Sequence, residues 1–148
     1  MNNVEYLRLF PWGDYGVVFA LLFGSRAWGR VLKGDWDITV WLGDVDKDID
    51  LQYALARFLH VREKSIDLVV LNNYEYLPCS LIIDVLGKGK VVYYRDFDKY
   101  LDIKLRVLKP CFDFMIDAEK LISNREYREV AKLGVKVVEE LRRRGIDY

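Results

Sequence analysis

Two aspartates one residue apart, inside a segment that otherwise reads as a buried strand, constrain this chain more than any other feature. The segment is Asp35-Trp-Asp-Ile-Thr-Val-Trp-Leu42. Alternate side chains of an extended backbone share a face, so Asp35 and Asp37 stand side by side with Cα atoms about 7 Å apart. Trp36 and Ile38 point the other way, into packing. Two unpaired carboxylates on one strand face repel each other and lose hydration. No Lys or Arg alternates with them on this strand to offset that, so the pattern calls for a divalent cation. Carboxylate ligation suits hard ions, magnesium or manganese, better than zinc.

The surroundings of the pair follow the periods of a mixed chain. "GVVFALLFG" (residues 16–24) is a continuous apolar run of strand length, and "DITVWLG" is a second strand. "SIDLVVL" (residues 65–71) and "KVVYY" (residues 90–94) predict a third and a fourth. Between the second and third, "DIDLQYALARFL" places Leu51, Leu55, Phe58 and Leu59 at helical spacing. "PCSLIIDVLGKG" predicts a short helix opened by Pro78 and closed by Gly87. Residues 4–9 predict another, ended by Pro11-Trp12-Gly13. From Asp96 to Arg143 the pattern is helical. Leu101, Leu105, Leu108, Phe112 and Met115 form one stripe, Val130, Val137 and Leu141 a second, and Pro110 should kink or divide the first helix. The fold class expected is α/β, of the α+β type: a mixed sheet with flanking helices over residues 1–95 and a helical extension over 96–148.

Asp67 repeats the anomaly of the pair, a carboxylate among apolar residues near the start of the third strand. If the second and third strands are neighbours, Asp67 reaches the site of Asp35 and Asp37. Three acids would then hold two metal ions about 3.5–4 Å apart, the layout for in-line phosphoryl or nucleotidyl displacement. Gly24 and Ser25 precede the acids, with nine residues between Ser25 and Asp35. Gly24 lets the backbone approach a ligand closely, while the Ser25 hydroxyl and nearby amides can donate to phosphate oxygens. A short helix opened by Ser25 would put phosphate at its N-terminus. Arg26, Arg30 and Lys33 supply positive charge around a polyphosphate. The turn is not a P-loop, because the Gly-Lys-Ser/Thr ending is missing, nor a three-glycine dinucleotide fingerprint.

Composition narrows the partners. The chain has 148 residues, enough for one domain. Its 23 basic and 23 acidic side chains cancel, which gives no general reason to expect a nucleic-acid polymer. No apolar run approaches the ~20 residues of a spanning helix, and "MNNVEYLRLFPW" lacks the basic start and apolar core of a signal peptide. Cys79 and Cys111 lie far apart without metal-like spacing, so two free thiols in a reducing cytoplasm are expected. A single histidine, His60, excludes a His-rich metal site. Asp44, Asp46, Asp48 and Asp50 lack the glycine and terminal glutamate of an EF-hand loop and read as charges at a helix N-terminus. Arg26 and Arg30 divide evenly between solvated and phosphate-binding roles. Trp28 reads as packing ahead of lining a nucleotide pocket.

"FGSRAWGRVLKGDWDITV" resembles the signature of the DNA polymerase β-like nucleotidyltransferase superfamily, in its minimal (MNT) branch. Gly24, Ser25, Ala27, Gly29, Asp35 and Asp37 match it, and Asp67 matches the later single acid. Gly34 departs from the small polar residue usual before the first acid. The likeness covers residues 17–95, and "FDKYLDIKLRVLKPCFDF" is similar to the helical extension of MntA-like antitoxins, which pair with HEPN-domain toxins. The resemblance implies a nucleotidyltransferase core that binds ATP with two magnesium ions. Asp35 and Asp37 would ligate both metals, and Asp67 would hold the catalytic one and help activate the acceptor hydroxyl. Ser25 and the Gly24 backbone would grip the outgoing pyrophosphate. In the antitoxin branch the acceptor is a tyrosine of the HEPN ribonuclease, silenced by the added AMP, and the partner contacts are expected on the C-terminal helices. Two other functions stand beside this one: an antitoxin that acts by binding alone, and a nucleotidyltransferase with a small-molecule acceptor.

Overall fold

The computed structural model describes residues 2–28, 34–121, 132–137, 139–140 and 143–144, without the side chains of Trp28 and residues 114–121. The apolar run 16–24 forms strand β1 (Val17–Phe23), and the acid-bearing segment forms β2 (Trp36–Leu42). With β3 (Ile66–Val70) and β4 (Lys90–Tyr94) they make a four-stranded sheet of order β3-β2-β1-β4. β1 runs antiparallel to β2 and to β4, whereas β2 and β3 are parallel. Parallel neighbours need a crossover. Here it is helix α2 (Asp48–Leu59), which opens on Asp48 and Asp50 where the macrodipole favours negative charge. It ends at His60 in the left-handed conformation, φ 56°.

Helix α1 (Asn3–Arg8) is held at its start by a reciprocal capping box between Asn2 and Glu5. α1 and α2 cover one sheet face. Trp36, Ile38, Val40 and Leu42 of β2 pack there with Leu51, Leu55 and Leu59 of α2 and with Leu7, Phe10 and Trp12. Each fully buried aliphatic group contributes about 1.5–3 kcal/mol. Thr39 and Asp37 alternate with this set and belong to the opposite face. The two-residue period of β2 therefore decides which of its groups enter the core and which remain for chemistry.

Several boundaries differ from the sequence reading. Asp35 lies just before β2, not within it. Helix α3 (Cys79–Lys88) runs through Gly87 and is closed by Gly89, whose N–H donates to the Val85 carbonyl at 2.8 Å. A Cβ at Gly89 would overlap that carbonyl, so Gly89, rather than Gly87, is the glycine the chain path needs. Helix α4 (Phe97–Leu121) passes through Pro110 without dividing. Proline leaves the carbonyl four residues earlier without its donor. Both Arg106 and Pro110 are exposed, so water can take that place.

Neither cysteine is a free thiol; Cys79 and Cys111 are both disulfide-bonded. This corrects the expectation of two reduced thiols, because spacing along the chain excludes a metal motif but not a disulfide. Cysteine usage therefore no longer argues for a reducing compartment. No helix among the described residues is long and apolar enough to cross a membrane. The chain divides into two compact units, residues 1–101 and 102–148. All four strands and the acids lie in the first.

Candidate active site

Parallel pairing of β2 with β3 sets Asp37 directly opposite Asp67. Residues paired across a ladder point to the same face, so the two carboxyl groups meet, and a proton held by one can be donated to the other. Asp35 is exposed at the entrance of β2, close enough for its charge to act on Asp37. The Asp37 carboxyl is raised above its ordinary value by desolvation, then by the charges of Asp67 and Asp35 and by the bond to Asp67. The three acids singled out in the sequence therefore lie at one end of the sheet, with Asp37 and Asp67 directly paired.

The antiparallel partner of Asp37 on β1 is Phe23, so the next residue, Gly24, lies against the same carboxylate. Gly24 has φ 76°, and a Cβ there would overlap the Asp37 carboxylate oxygen. Only glycine fits, for conformation and for space alike. Ser25 then opens a four-residue 3-10 turn, Ser25–Trp28, with its side chain exposed. The turn is shorter than a helix that could act through its dipole. The Ala27 N–H is already taken by the Gly24 carbonyl at 3.1 Å.

Gly34, the departure from the family pattern, has φ 127°, and a Cβ on it would sit 3.5 Å from Ser25 Oγ. A side chain here would be strained, and the glycine lets the serine turn approach the entrance to β2. Arg26 reaches across the same gap. Its Nε–H donates to the Gly34 carbonyl at 2.9 Å, and its guanidinium carbon lies 4.3 Å from the centre of the Trp36 ring. The Arg26 carbonyl accepts from Asn3 Nδ2 at 3.1 Å. Nothing in the sequence pointed to Asn3, which lies 23 positions away. Gly29, Arg30 and Lys33 fall outside the described residues, as does the Trp28 side chain.

Among the described residues, no three acidic, histidine or cysteine groups already stand as a metal's ligand set. Magnesium seldom asks for one. It binds through one or two carboxylates, completed by substrate phosphates and water. Asp37 and Asp67 supply that pair, and the repulsion that raises Asp37 is what a divalent cation would remove. The donor set fits magnesium or manganese. A cavity of about 530 Å³ beside the serine turn is lined by Arg8, Arg26, Lys90, Asn2, Asn3 and Glu5 among others, and by none of the three acids. The acids mark the candidate site, because Asp37 and Asp67 stand paired across the ladder whereas the cavity holds one carboxylate, Glu5, among cations and amides.

The family model described as "Polymerase beta, Nucleotidyltransferase" matches residues 13–98, a span that holds Gly24, Ser25 and all three acids. No curated protein matches the chain. Solved structures do. A toxin–antitoxin crystallised with AMP-PNP superposes with a TM-score of 0.57 at 20% identity, over 80% of this chain and 94% of that one. A tri-AMPylated Shewanella oneidensis HEPN toxin in complex with an MNT antitoxin gives 0.54, also at 20% identity, over 82% and 95%. At that identity the likeness is one of fold.

Proposed function

The chain belongs to the polymerase beta nucleotidyltransferase family, and from that premise we propose that it is an antitoxin that transfers AMP from ATP to a tyrosine of a cognate HEPN-domain ribonuclease. The observation that carries the chemistry is the in-register meeting of Asp37 and Asp67 with Gly24 backed against Asp37. What supports the acceptor and partner is coarser: two structures of like fold are a toxin–antitoxin with AMP-PNP and an AMPylated HEPN toxin with its MNT antitoxin.

In this reading Asp37 and Asp67, joined by Asp35, would hold two magnesium ions, which would neutralise phosphate charge and orient the α-phosphorus for attack. The Ser25 hydroxyl and the first amides of its turn hold the β- and γ-phosphates, which the absence of a side chain at Gly24 lets approach. The phenol oxygen of the acceptor forms a bond to the α-phosphorus as the bond from that phosphorus to the β-bridging oxygen breaks. Pyrophosphate leaves with the electron pair, and Asp67, exposed at the strand start, accepts the phenol proton. Helix α4 is the proposed partner surface. Its Leu108, Cys111 and Phe112 are buried, so the contacts fall on its other faces.

The test is co-expression with a candidate HEPN-domain toxin, followed by intact-mass measurement and transfer of label from α-labelled ATP. Wild type should add AMP to the toxin, and Asp35→Ala with Asp37→Ala should lower the rate by at least about a thousandfold. Toxin silenced equally well by the double variant, with no mass gain, would establish neutralisation by binding alone. Label on a small molecule in place of the toxin would move the acceptor to that class.

A further inference from the structure

Arg26 lies in the Ser25 turn, and its Nε–H and the plane of its guanidinium are already engaged. The Nε–H is directed at the Gly34 carbonyl, and the planar group lies over the Trp36 ring. We propose that Arg26 is a positioning residue, which fixes Asp35 against the Ser25 turn by gripping the residues on both sides of it. The proposal rests on the reading of the acids and the turn as a nucleotidyl-transfer site.

Asp35 precedes β2 and so lacks the sheet ladder that holds Asp37. Its position is set by its two neighbours. Gly34 is held through its carbonyl, and Trp36 is 5% exposed and anchored in the core below the guanidinium. Arg26 is itself tethered, because its carbonyl accepts from Asn3 and its turn is closed by the bond from Ala27 to Gly24. The result is a bridge from the serine side of the site to the aspartate side. Its geometry needs a flat, forked cation. A lysine carries the charge but has neither the Nε–H at that place nor a plane to stack. The Trp36 indole N–H is buried without a hydrogen-bond partner, so what the site uses of this side chain is its ring face. Phenylalanine should serve nearly as well.

The experiment uses the intact chain with two readouts. In the first, nitrogen-labelled arginine reports the Arg26 Nε–H, which should exchange with water at least about tenfold more slowly than solvent-exposed arginines. Trp36→Phe should keep that protection and Trp36→Leu should lose it. In the second, Arg26→Lys should lower kcat of nucleotidyl transfer by about 10- to 100-fold, as a misplaced reacting group does. The KM for ATP should change by less than about twofold. Arg26→Lys combined with Trp36→Leu should be no slower than the worse single variant, since both break one bridge.

Wild-type kcat in Arg26→Lys together with a raised KM for ATP in Arg26→Gln would overturn the proposal, because charge alone would then be the role. Additive losses in the double variant would also overturn it, as would an unprotected Nε–H in wild type. Should Trp36→Leu not fold, Trp36→Phe and Arg26→Lys still decide the matter. If the wild-type chain transfers no nucleotide, the functional reading has failed and the bridge is judged on the protection of the Nε–H.

Discussion

At Gly24 the backbone is in the left-handed region and its hydrogen faces the Asp37 carboxylate. Gly24→Ala should therefore lower stability by about 1–3 kcal/mol. It should also abolish transfer, a pairing that chemical denaturation and a rate assay would show together. Asp37 offers the opposite pairing. Its carboxyl is raised by desolvation first and by its acidic neighbours next, so the folded state keeps a proton that the unfolded chain gives up near the ordinary value of 3.8. Stability contributed at this residue is then complete in acid and is lost as pH rises from that value through the raised one. Asp37→Asn removes the loss. Its melting temperature without metal should exceed that of wild type by a few degrees at neutral pH and converge with it below pH 4, while transfer vanishes. A variant less stable than wild type at pH 7 would contradict this electrostatic account. The anomaly of Asp35, Asp37 and Asp67 was legible in the sequence because carboxylates are out of place beside Trp36, Ile38 and Leu68. The bridging role of Arg26 was not, since an arginine beside a serine turn reads the same whether it faces phosphate or a carbonyl.

Strand β2 carries Asp37 of the candidate site, and on its β3 side the far end is capped by a side chain. Asn72 receives the Leu42 N–H at 2.9 Å and donates to the Leu42 carbonyl at 2.8 Å, standing in for a further rung of the ladder. Asn72→Ala would leave both backbone groups of a buried residue without partners. A loss of about 2 kcal/mol is expected, read from urea unfolding, with little change in KM for ATP. Loss of activity at unchanged stability would mean that Asn72 acts on the site directly. The four strands and α2 were readable from periodicity, and each falls within about a residue of its expected span. Element ends were less readable. Both Gly87 and Gly89 suit a helix stop, and only the approach of Gly89 to the Val85 carbonyl decides between them. Pro110 within α4 shows the same limit, because an exposed turn can leave a carbonyl to water.

The free chain holds like charges together that a bound cation would relieve, so metal and stability should be linked across the whole molecule. Magnesium at 100 times its dissociation constant should stabilise wild type by about 2.7 kcal/mol. The gain in melting temperature should grow with pH as Asp37 loses its proton, and Asp37→Asn should lose most of it. A gain that is the same at pH 4 and pH 8 would count against Asp37 as a ligand. The sequence by itself determined the alternation of β2, the helical period of α2 and the residue types suited to phosphate and a hard cation, because these are local properties of the chain. Only tertiary structure decided the rest. The parallel register that sets Asp67 against Asp37, the carboxylate that excludes a side chain at Gly24 and the carbonyl that Arg26 holds all join residues apart in sequence. The energies that select such contacts belong to pairs that no local pattern contains.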